Sequence, residues 1–504
     1  MSTDFTGENP FGESLKRQWL TDLENRTQIW NTTDELRYIA WVASCKRISP
    51  WGLLAIVQQH RASWVDPTHV LVDVDGMPGA TLAEGTALSG YVGLVGVTGG
   101  GKNVIFRAAT AIIPPFTSPI PTGTGQGLVK SFAETVKVTD GEGKDKTTRY
   151  ATQFSRHVTV VHADEIDALN AEFARDASST DAMMRSLWTG GTAGMTTGDR
   201  ERRVTLPANF YRIHGIWCVQ PSNAGNIMAR VEGGTPQRWL WAPATEHRRR
   251  AGVQQRAAVA KPVYNIPHWN TGTNPIGPQG GALPELYSDG DPHPAPTWVT
   301  RNSSPQLQAW YAQAEQDRDA ALDYDPYIKP TPEEAAQRHA VAMSSHSILT
   351  TIKVAVWMAW LHGRREPNDM DFFFASAQME VSKAEAAGVW DTLSWGQEDE
   401  LSVAGKRRGA EMHSADIARD VAAHTEVQRL ADELWDRLAH EGPKPPRILR
   451  NGLSNRRKRL AKEARDLLED MGRIQEDRHG YFWAFNAEGM PVAPIGTPLF
   501  QPRV

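Results

Sequence analysis

Residues 93–113 read GLVGVTGGGKNVIFRAATAII, and this stretch decides the fold. An apolar run leads into a glycine-rich segment at 96–103, and apolar positions at helical spacing follow it. Glycines let backbone N–H groups turn toward an anion, a lysine neutralises phosphate charge, and the helix adds the positive end of its dipole. The stretch therefore predicts a strand, a phosphate-binding loop and a helix. The predicted nucleotide-binding residues are Gly96, Thr98, Gly99, Gly100, Gly101, Lys102 and Asn103.

The final residue of this loop departs from the usual pattern. A Ser or Thr normally stands there, because its hydroxyl binds Mg²⁺. Here the residue is Asn103, whose amide oxygen is a ligand of different geometry. Asn103 is therefore predicted to contact the metal, and the substitution leaves open whether the loop supports full hydrolysis. For the loop as a whole, the alternative is a glycine-rich turn that binds nothing.

Farther along, residues 157–169 read HVTVVHADEIDAL, an apolar strand that ends in two adjacent carboxylates. Behind a phosphate loop, the first carboxylate of such a pair holds Mg²⁺ and the second polarises the attacking water. Asp164 is therefore predicted as a metal ligand and Glu165 as the general base. The alternative is a strand that ends in an exposed acidic turn.

A further apolar strand in HGIWCVQPSNAG (214–225) also ends in polar residues. In ATPases with an extra strand between the phosphate-loop strand and the acidic strand, a polar residue at this point senses the γ-phosphate. Gln220 is the first choice for this role and Asn223 the second, although Asn223 would equally fit a helix cap. Arg238, in VEGGTPQRWLWAP (231–243), is predicted as an arginine finger that completes a neighbouring subunit's site, or else as part of a structural salt bridge.

Between the acidic strand and the strand of Gln220 lies LWTGGTAGMTTGDRERRVTLPANFYR (187–212), whose Gly, Thr and Arg content predicts a hairpin. In ring ATPases that act on DNA, loops from this region face the central channel and grip phosphates. Arg200, Arg202 and Arg203 are therefore candidate DNA contacts. An exposed turn without such a role is the alternative.

The last part of the chain carries helical patterns, the basic helix NRRKRLAKEARDLLEDMG (455–472), and two strand-like runs joined by a His-Gly turn. This order predicts a winged helix, whose third helix would enter a groove of DNA. The candidate DNA contacts on it are Arg456, Arg457, Lys458, Arg459 and Lys462. The alternative is a solvated charged face on a winged helix that binds protein.

The composition excludes several classes of protein. The chain has 504 residues, of which 40% are hydrophobic and 22% charged, as is ordinary for a globular protein of several domains. A net charge of −5 means that nucleic-acid contacts must come from local basic patches. Two cysteines exclude a disulfide framework or a cysteine-rich zinc module. Without a signal-peptide core or a long apolar run, a cytoplasmic protein with no membrane contact is expected.

Changes in pattern divide the chain into six regions. A stretch dense in Pro and Gly separates two patterned regions, and a polar, charged stretch at 397–408 marks another boundary. The predicted regions are an N-terminal helical region (1–85), an ATPase core (86–262), a Pro/Gly-rich excursion or linker (263–304), a helical subdomain (305–395), a winged-helix domain (410–490) and a tail (491–504).

Several of these segments together resemble a known family. They are SPWGLLAIVQQH (49–60), LVGVTGGGKN (94–103), TGTGQGL (122–128), VVHADEIDAL (160–169), WCVQPSN (217–223) and GGTPQRWLWAP (233–243). Their order resembles the helicase-like ATPase domain of phage, prophage and plasmid primase-helicases, most of all its actinobacterial branch. The resemblance covers about residues 35–390.

The resemblance implies an α/β core of RecA/AAA+ type, ATP with Mg²⁺ as cofactor, assembly into a ring, and work in DNA replication of a phage or mobile element. Lys102, Asp164, Glu165, Gln220 and Arg238 fall on the family's motif positions. Many relatives also carry an N-terminal primase-polymerase domain. The short segment before the loop predicts none here, so a separate primase is a candidate partner.

The leading hypothesis is an ATP-driven DNA helicase or translocase that works as a homo-oligomer. One alternative is an ATP-switched initiator or helicase loader that binds a duplex origin. Another is a nucleotide-binding scaffold with weak hydrolysis, which the residue at position 103 favours.

Overall fold

The computed structural model describes residues 9, 11–13, 16–71, 85–140, 146–175, 178–194, 203–231, 233–246, 256–265, 286–288, 297–299, 309–310, 312–313, 316, 331–451 and 453–492. The chain divides into two compact units, Met1–Glu398 and Asp399–Val504. The fold is of mixed α/β class, with a parallel sheet in the first unit. No helix in the described ranges combines the length and the apolar character that crossing a membrane requires.

The first unit begins with helices and continues with alternating strands and helices. Its helices are α1 (Arg17–Thr27), α2 (Ile29–Thr32), α3 (Asp34–Lys46), α4 (Pro50–Ala62), α5 (Lys102–Ile112), α6 (Gly125–Lys130), α7 (Asp167–Ala174), α8 (Thr180–Thr189), α9 (Gly225–Met228) and α10 (Pro332–Leu361). Its strands are β1 (His69–Leu71), β2 (Thr86–Ala87), β3 (Gly90–Val95), β4 (Ala133–Asp140), β5 (Thr147–Phe154), β6 (Val158–Ala163), β7 (Ala193–Gly194), β8 (Thr205–Leu206), β9 (Arg212–Val219), β10 (Trp239–Pro243), β11 (Leu286–Tyr287) and β12 (Thr297–Val299). Helix α11 (Asp369–Glu441) begins in the first unit and ends in the second.

Four parallel strands form the central sheet, in the order β10-β3-β9-β6. Strand β9 therefore lies between β3, which precedes the glycine-rich loop, and β6, which precedes the acidic pair. Every residue of β3, β9 and β10 is buried, as expected for a parallel sheet covered on both faces. A single parallel bridge between Ile120 and Val161 adds one more pairing to β6.

Helix α4 lies at the centre of the first unit, and each of its residues is buried. Ser49 caps the helix by accepting a 3.4 Å hydrogen bond from the Gly52 N–H, and Pro50 occupies the first turn, where proline is favoured. A Cβ at Gly52 would lie 2.4 Å from the Pro243 carbonyl oxygen. Only glycine therefore lets this helix approach the sheet so closely. The helix also packs against α5 and α10, and one core cluster joins all of these elements.

Two antiparallel hairpins are inserted at the edge of the sheet opposite the glycine-rich loop. Strand β4 pairs with β5 along its whole length, and β5 leads almost directly into the start of β6. Strand β7 pairs with β8, which leads toward the start of β9. This second pairing falls where the sequence predicts a hairpin, although Arg200 and Arg202 lie outside the described residues.

The second unit contains the end of α11, two more helices and a small sheet. Its further elements are α12 (Pro446–Leu449), α13 (Asn455–Asp470), β13 (Ile474–Glu476), β14 (Phe482–Phe485) and β15 (Pro491–Val492). The strands form an antiparallel sheet in the order β13-β14-β15. Ser454 caps α13 by accepting a hydrogen bond from the Arg457 N–H. The apolar sides of α11 and α13 share a core with Ile474 and Phe482.

The length of α11 differs from the sequence prediction. The pattern predicts a helical subdomain that ends at 395 and a boundary at 397–408, whereas α11 continues to Glu441. Residues 397–441 contain no proline and many Ala, Glu and Arg residues, so helix propensity outweighs the polar character that suggested a linker. The predicted regions 1–85, 86–262 and 305–395 all fall in the first compact unit. Most of the predicted excursion 263–304 and of the tail 491–504 lies outside the described residues.

The side chains of His60, His69 and His214 are buried in the first unit. His60 Nδ1 lies 2.9 Å from the Ile113 carbonyl oxygen, and His214 Nδ1 lies 2.8 Å from Gln59 Oε1. Burial lowers the pKa of His60 and of His69 to about 4 and that of His214 well below its ordinary value, and the charge of Arg212 adds to the effect on His69 and His214. All three rings are therefore neutral in the folded chain near neutral pH.

The free energy of unfolding should fall as the pH is lowered. Unfolding exposes His60 to water and restores an ordinary pKa near 6.5, so the unfolded chain binds a proton that the folded chain does not. The stabilisation is complete above pH 6.5 and declines toward pH 4, by roughly 3 kcal/mol for His60 alone. Urea denaturation followed by tryptophan fluorescence at a series of pH values measures it. His60→Leu should have a shallower pH dependence, whereas exposed His479→Leu should follow the wild type; parallel curves for all three chains would contradict the assignment.

Candidate functional site

Parallel pairing brings the three predicted motifs to one edge of the sheet. Val95 of β3 pairs with Val219 of β9, and Ala163 of β6 pairs with Trp217. The glycine-rich loop, Gln220 and the acidic pair at 164–165 follow these strand ends directly or within a few residues. Because the carboxyl ends of parallel strands share an edge, segments distant in sequence become neighbours there.

The loop has a backbone shape that depends on its glycines. Gly99 and Gly101 have φ angles of 71° and 96°, in the left-handed region that favours glycine. A Cβ at Gly100 would lie 2.8 Å from the Val97 carbonyl oxygen, which accepts a 2.9 Å hydrogen bond from the Gly100 N–H. The turn leads straight into α5, whose first backbone N–H groups have no helical partner. This geometry suits the binding of an anion.

Lys102 is the first residue of α5 and is only 6% exposed. Its Nζ donates hydrogen bonds to the carbonyl oxygens of Gly96 (2.8 Å) and Val97 (3.3 Å). Two carbonyl dipoles stabilise a buried ammonium less than a negative charge does. A phosphate bound in the loop would therefore stabilise the charged form of Lys102 further. The lysine is therefore positioned to meet an anion.

Gln220 connects the loop with the predicted base. Thr98 Oγ1 donates to Gln220 Oε1 at 3.3 Å, and Gln220 Nε2 donates to Glu165 Oε2 at 3.1 Å. One carboxamide thus contacts both the loop and the carboxylate. Asn223, the second candidate, donates instead to Asp167 Oδ1 at 3.2 Å. Of the two amides, Gln220 is the one that contacts the loop.

Asp164 leaves β6 toward solvent, and its side chain is 68% exposed. The neighbouring His162 Nε2 lies 3.9 Å from Asp164 Oδ1, and the His162 ring stacks on Phe106 with ring centres 3.6 Å apart. Burial lowers the pKa of His162, and the charge of Asp164 partly opposes that change. The stack between β6 and α5 holds the end of the acidic strand beside the helix that carries Lys102.

Cys218 lies under the site near the end of β9. Its thiol donates to Asn103 Oδ1 at 3.9 Å, so the amide oxygen predicted as a metal ligand already has a partner. Burial raises the pKa of this thiol to about 12, and the charges of Lys102, Asp164 and Glu165 also act on it. The Cys218 side chain therefore lies near enough to these three charged groups to be affected by each of them.

The available ligands suit a Mg²⁺ ion that arrives with a nucleotide. Within the described part of the chain, no group of three or more His, Cys, Asp or Glu side chains could hold a metal by itself. Mg²⁺ in nucleotide sites keeps several waters and takes one or two protein ligands besides phosphate oxygens. The exposed carboxylate of Asp164 and the amide of Asn103 are ligands of that kind, so the residues present fit the group.

Two residues at the loop were missed by the sequence motifs. Ile48, in the turn between α3 and α4, forms an antiparallel bridge with Thr245, and its side chain would lie 3.2 Å from a Cβ at Gly101. Thr245 Oγ1 donates to the Gly100 carbonyl oxygen at 3.4 Å. No local signal marks either residue, because both reach the loop only through contacts between distant segments.

Arg238 lies at the opposite edge of the sheet. It precedes β10, whose first residue Trp239 pairs with Tyr91 at the start of β3, about 16 Å of strand away from the loop. Its guanidinium donates to the carbonyl oxygens of Gly233 (3.3 Å) and Gly234 (2.6 Å). Arg238 therefore does not enter the site of its own chain, and its role as a finger for a neighbouring subunit stays a prediction.

The second unit has a basic cavity of about 590 Å³ bordered by α11, α12 and α13. The cationic side chains that line it are Arg447, Arg450, Lys458, Lys462 and Arg465. Lys458 and Lys462 are predicted DNA contacts, whereas Arg447 and Arg450 were missed because they lie outside the basic helix in sequence. Of the other predicted contacts, Arg457 pairs with Glu433 at 2.5 Å, Arg459 is exposed, and the Arg456 side chain lies outside the described residues.

The two cysteines should react with thiol reagents at very different rates. Cys45 is exposed, whereas Cys218 is buried and its raised pKa leaves little thiolate near neutral pH. Brief treatment of the native chain with N-ethylmaleimide should give one adduct by mass spectrometry, and the urea-unfolded chain should give two. Cys45→Ser should remove the fast adduct. Rapid double labelling of the native chain would contradict the buried position of Cys218.

Two comparisons of this sequence with known proteins gave no match. The sequence matches no family model. A search of curated proteins finds no match either. The resemblance to helicase-like ATPases therefore stays a prediction from the sequence, based on motifs such as those at 94–103, 160–169 and 217–223.

Proposed function

We propose that this chain is an ATPase that uses Mg²⁺–ATP to move along DNA, as a helicase or translocase in replication. The observation that carries the proposal is the hydrogen-bond chain from Thr98 through Gln220 to Glu165. The strand order supports it, because a strand with a polar end separates the phosphate-loop strand from the acidic strand. That arrangement is expected of a RecA/AAA+-type core.

Each residue of the site has one task in this reaction. Lys102 and the N–H groups of the loop bind the β- and γ-phosphates and withdraw negative charge. Bound Mg²⁺ supplies a Lewis acid on the phosphate oxygens, with Asp164 and Asn103 as the residues that would hold it. Glu165 accepts a proton from the attacking water, which Gln220 helps to orient.

The hydrogen bonds of Gln220 suggest how the site senses its nucleotide. With the loop in the conformation described, the Gln220 amide engages one Glu165 oxygen, and its carbonyl accepts from Thr98. A γ-phosphate offers stronger, charged acceptors to both the Thr98 hydroxyl and the Gln220 amide. Glu165 is then released to bind water, which couples phosphate binding to activation of the base.

Contact with DNA is assigned to the second unit. Helices followed by a three-stranded antiparallel sheet, with a basic helix before the sheet, fit the predicted winged helix. The residues that line its cavity include five cations and no carboxylate, which favours a phosphate backbone. Arg447 and Arg450 join the predicted Lys458 and Lys462 in this role.

A homo-oligomeric ring completes the proposal. Motion along DNA needs several sites that act in turn, and Arg238 is the candidate finger for a neighbouring site. Arg200, Arg202 and Arg203 remain the candidate contacts in a central channel, and a separate primase the candidate partner. Mixed rings of wild-type and variant chains would show whether a residue such as Arg238 acts in the site of a neighbouring subunit.

A second candidate function is an ATP-controlled switch with weak hydrolysis, such as an initiator or loader. Asn103 favours it, because an amide replaces the usual metal-binding hydroxyl and its oxygen accepts from the Cys218 thiol. Such a protein would bind nucleotide tightly, turn over slowly and prefer duplex to single-stranded DNA.

Substitutions at Lys102 and Glu165 should separate nucleotide binding from hydrolysis. Lys102→Ala should raise the Kd for ATP about tenfold to a hundredfold, because one charged hydrogen bond contributes about 1.5–3 kcal/mol. Glu165→Gln should bind ATP normally but lower kcat by about 10²–10⁴, the usual contribution of a general base. Calorimetry measures the Kd, and phosphate release measures kcat.

Asp167→Asn is the matched control, because this exposed carboxylate, two residues after Glu165, accepts a hydrogen bond from Asn223 rather than from Gln220. Its kcat should stay within about twofold of the wild type. Normal hydrolysis by Glu165→Gln would remove that residue from the catalytic role. ATP binding without measurable hydrolysis in the wild type would favour the switch over the translocase.

Substitutions in the basic cavity should weaken duplex DNA binding. Arg447→Gln/Arg450→Gln removes two cations, so the slope of log affinity against log salt should become shallower by about 1.8, or 0.9 per phosphate contact. Fluorescence anisotropy with a labelled duplex measures it. The control is Arg429→Gln, an exposed arginine of α11 that does not line the cavity. Equal slopes for all three chains would assign DNA contact to another surface.

A further inference from the structure

The hairpin of β4 and β5 has two faces of different charge. Side chains alternate between the faces, and cross-strand partners share one. Thr135, Lys137 and Thr139 pair with Thr152, Tyr150 and Thr148, and these six residues form what is here named the hairpin face. None of the six carries a negative charge.

The acidic residues of the hairpin lie on its other face. Glu134 and Asp140 alternate with the residues of the hairpin face and therefore point the other way. Arg149 is also on that side, where its Nε donates to Asp140 Oδ2 at 3.1 Å. The charge of Arg149 is thus paired with that of Asp140, whereas Lys137 on the hairpin face is exposed.

The second hairpin lies against the hairpin face. Thr135 Oγ1 donates to the Arg203 carbonyl oxygen at 2.5 Å, and Thr152 Oγ1 donates to the Thr205 carbonyl oxygen at 3.4 Å. Arg203 itself is exposed. The two hairpins border a cavity of about 460 Å³, lined among others by Thr148, Tyr150 and Arg203.

We propose that the hairpin face and Arg203 form a binding site for a single-stranded polynucleotide. Lys137 and Arg203 bind phosphates, and the hydroxyls of Thr139 and Thr148 donate to phosphate oxygens. Tyr150, which is half-buried in the cavity wall, offers its ring to one base. That the polymer is DNA rests on the proposed function, whereas the site itself rests on this surface.

A single strand fits this surface better than a duplex. Stacking on Tyr150 requires an unpaired base, and the described cations of this surface, Lys137 and Arg203, stand at two points. The site lies at the sheet edge opposite Lys102, since β5 and β8 lead into the starts of β6 and β9. It is therefore separate from the nucleotide site and can be tested without ATP.

The test measures binding of fluorescein-labelled oligodeoxythymidine by anisotropy at several salt concentrations, without nucleotide. All variants carry Arg447→Gln/Arg450→Gln, so that the second unit contributes less to binding and contributes equally in every chain compared. Lys137→Gln/Arg203→Gln should make the slope of log affinity against log salt shallower by about 1.4, or 0.7 per contact on a single strand. Tyr150→Leu should weaken binding on the order of tenfold with the slope unchanged, because stacking involves no counterion.

Lys46→Gln/Arg17→Gln is the matched control, since it removes two exposed cations of the first unit that lie on α3 and α1. Its slope and affinity should equal those of the parent chain. Equal losses in the control and the hairpin variant, no loss in either, or no binding by the parent chain would each overturn the site. Normal ATP hydrolysis by Lys102→Ala and Glu165→Gln, with the hairpin effects intact, would refute the proposed function and leave the site standing. The expected losses at Lys102 and Glu165 without any effect of the hairpin variants would overturn the site and leave the proposed function standing.

Discussion

Parallel pairing of β3, β9 and β6 is the constraint on which the rest of the structure depends. Backbone hydrogen bonds fix the register, so the loop after Val95, the acidic pair after Ala163 and the amide after Val219 must meet at one edge. No side-chain attraction is needed to bring them together. Gln220 reaches both Thr98 and Glu165 because its strand lies between theirs.

Close packing of α4 against the sheet explains why the first unit tolerates so many buried polar groups. A Cβ at Gly90 would lie 2.3 Å from Gln59 Oε1, the atom that meets the His214 ring. Beneath this contact, Lys353 Nζ donates to the carbonyl oxygens of Ser89 and Trp188. Each of these hydrogen bonds offsets part of the cost of taking a polar group out of water. The glycines are required because the partners must come within hydrogen-bond distance.

The two edges of the sheet carry different chemistry. The edge with the loop gathers Lys102, Asp164 and Glu165, and its neighbours hold that arrangement through Cys218, Thr245 and a histidine stack. The opposite edge carries both hairpins, with exposed cations and threonine hydroxyls. Strand β9 joins the two, since it begins just after β8 and ends at the sensing amide. In a translocase, this buried strand would couple the nucleotide bound at the loop to the affinity of the hairpins for the polynucleotide.

Short stretches of the sequence are enough to predict the local features of this protein. Glycine spacing, an apolar run before two carboxylates and the Ser454 cap each depend on a few adjacent residues, so the loop, the strand of 158–163 and the basic helix were predictable. The prediction of a boundary at 397–408 was wrong, because a charged helix and a linker can have the same polar composition. Three contacts are established only by the folded chain: Ile48 and Thr245 border the loop, Arg447 and Lys458 line one cavity, and the two hairpins meet. Those contacts join distant segments, and their geometry depends on how whole strands and helices pack rather than on any local pattern.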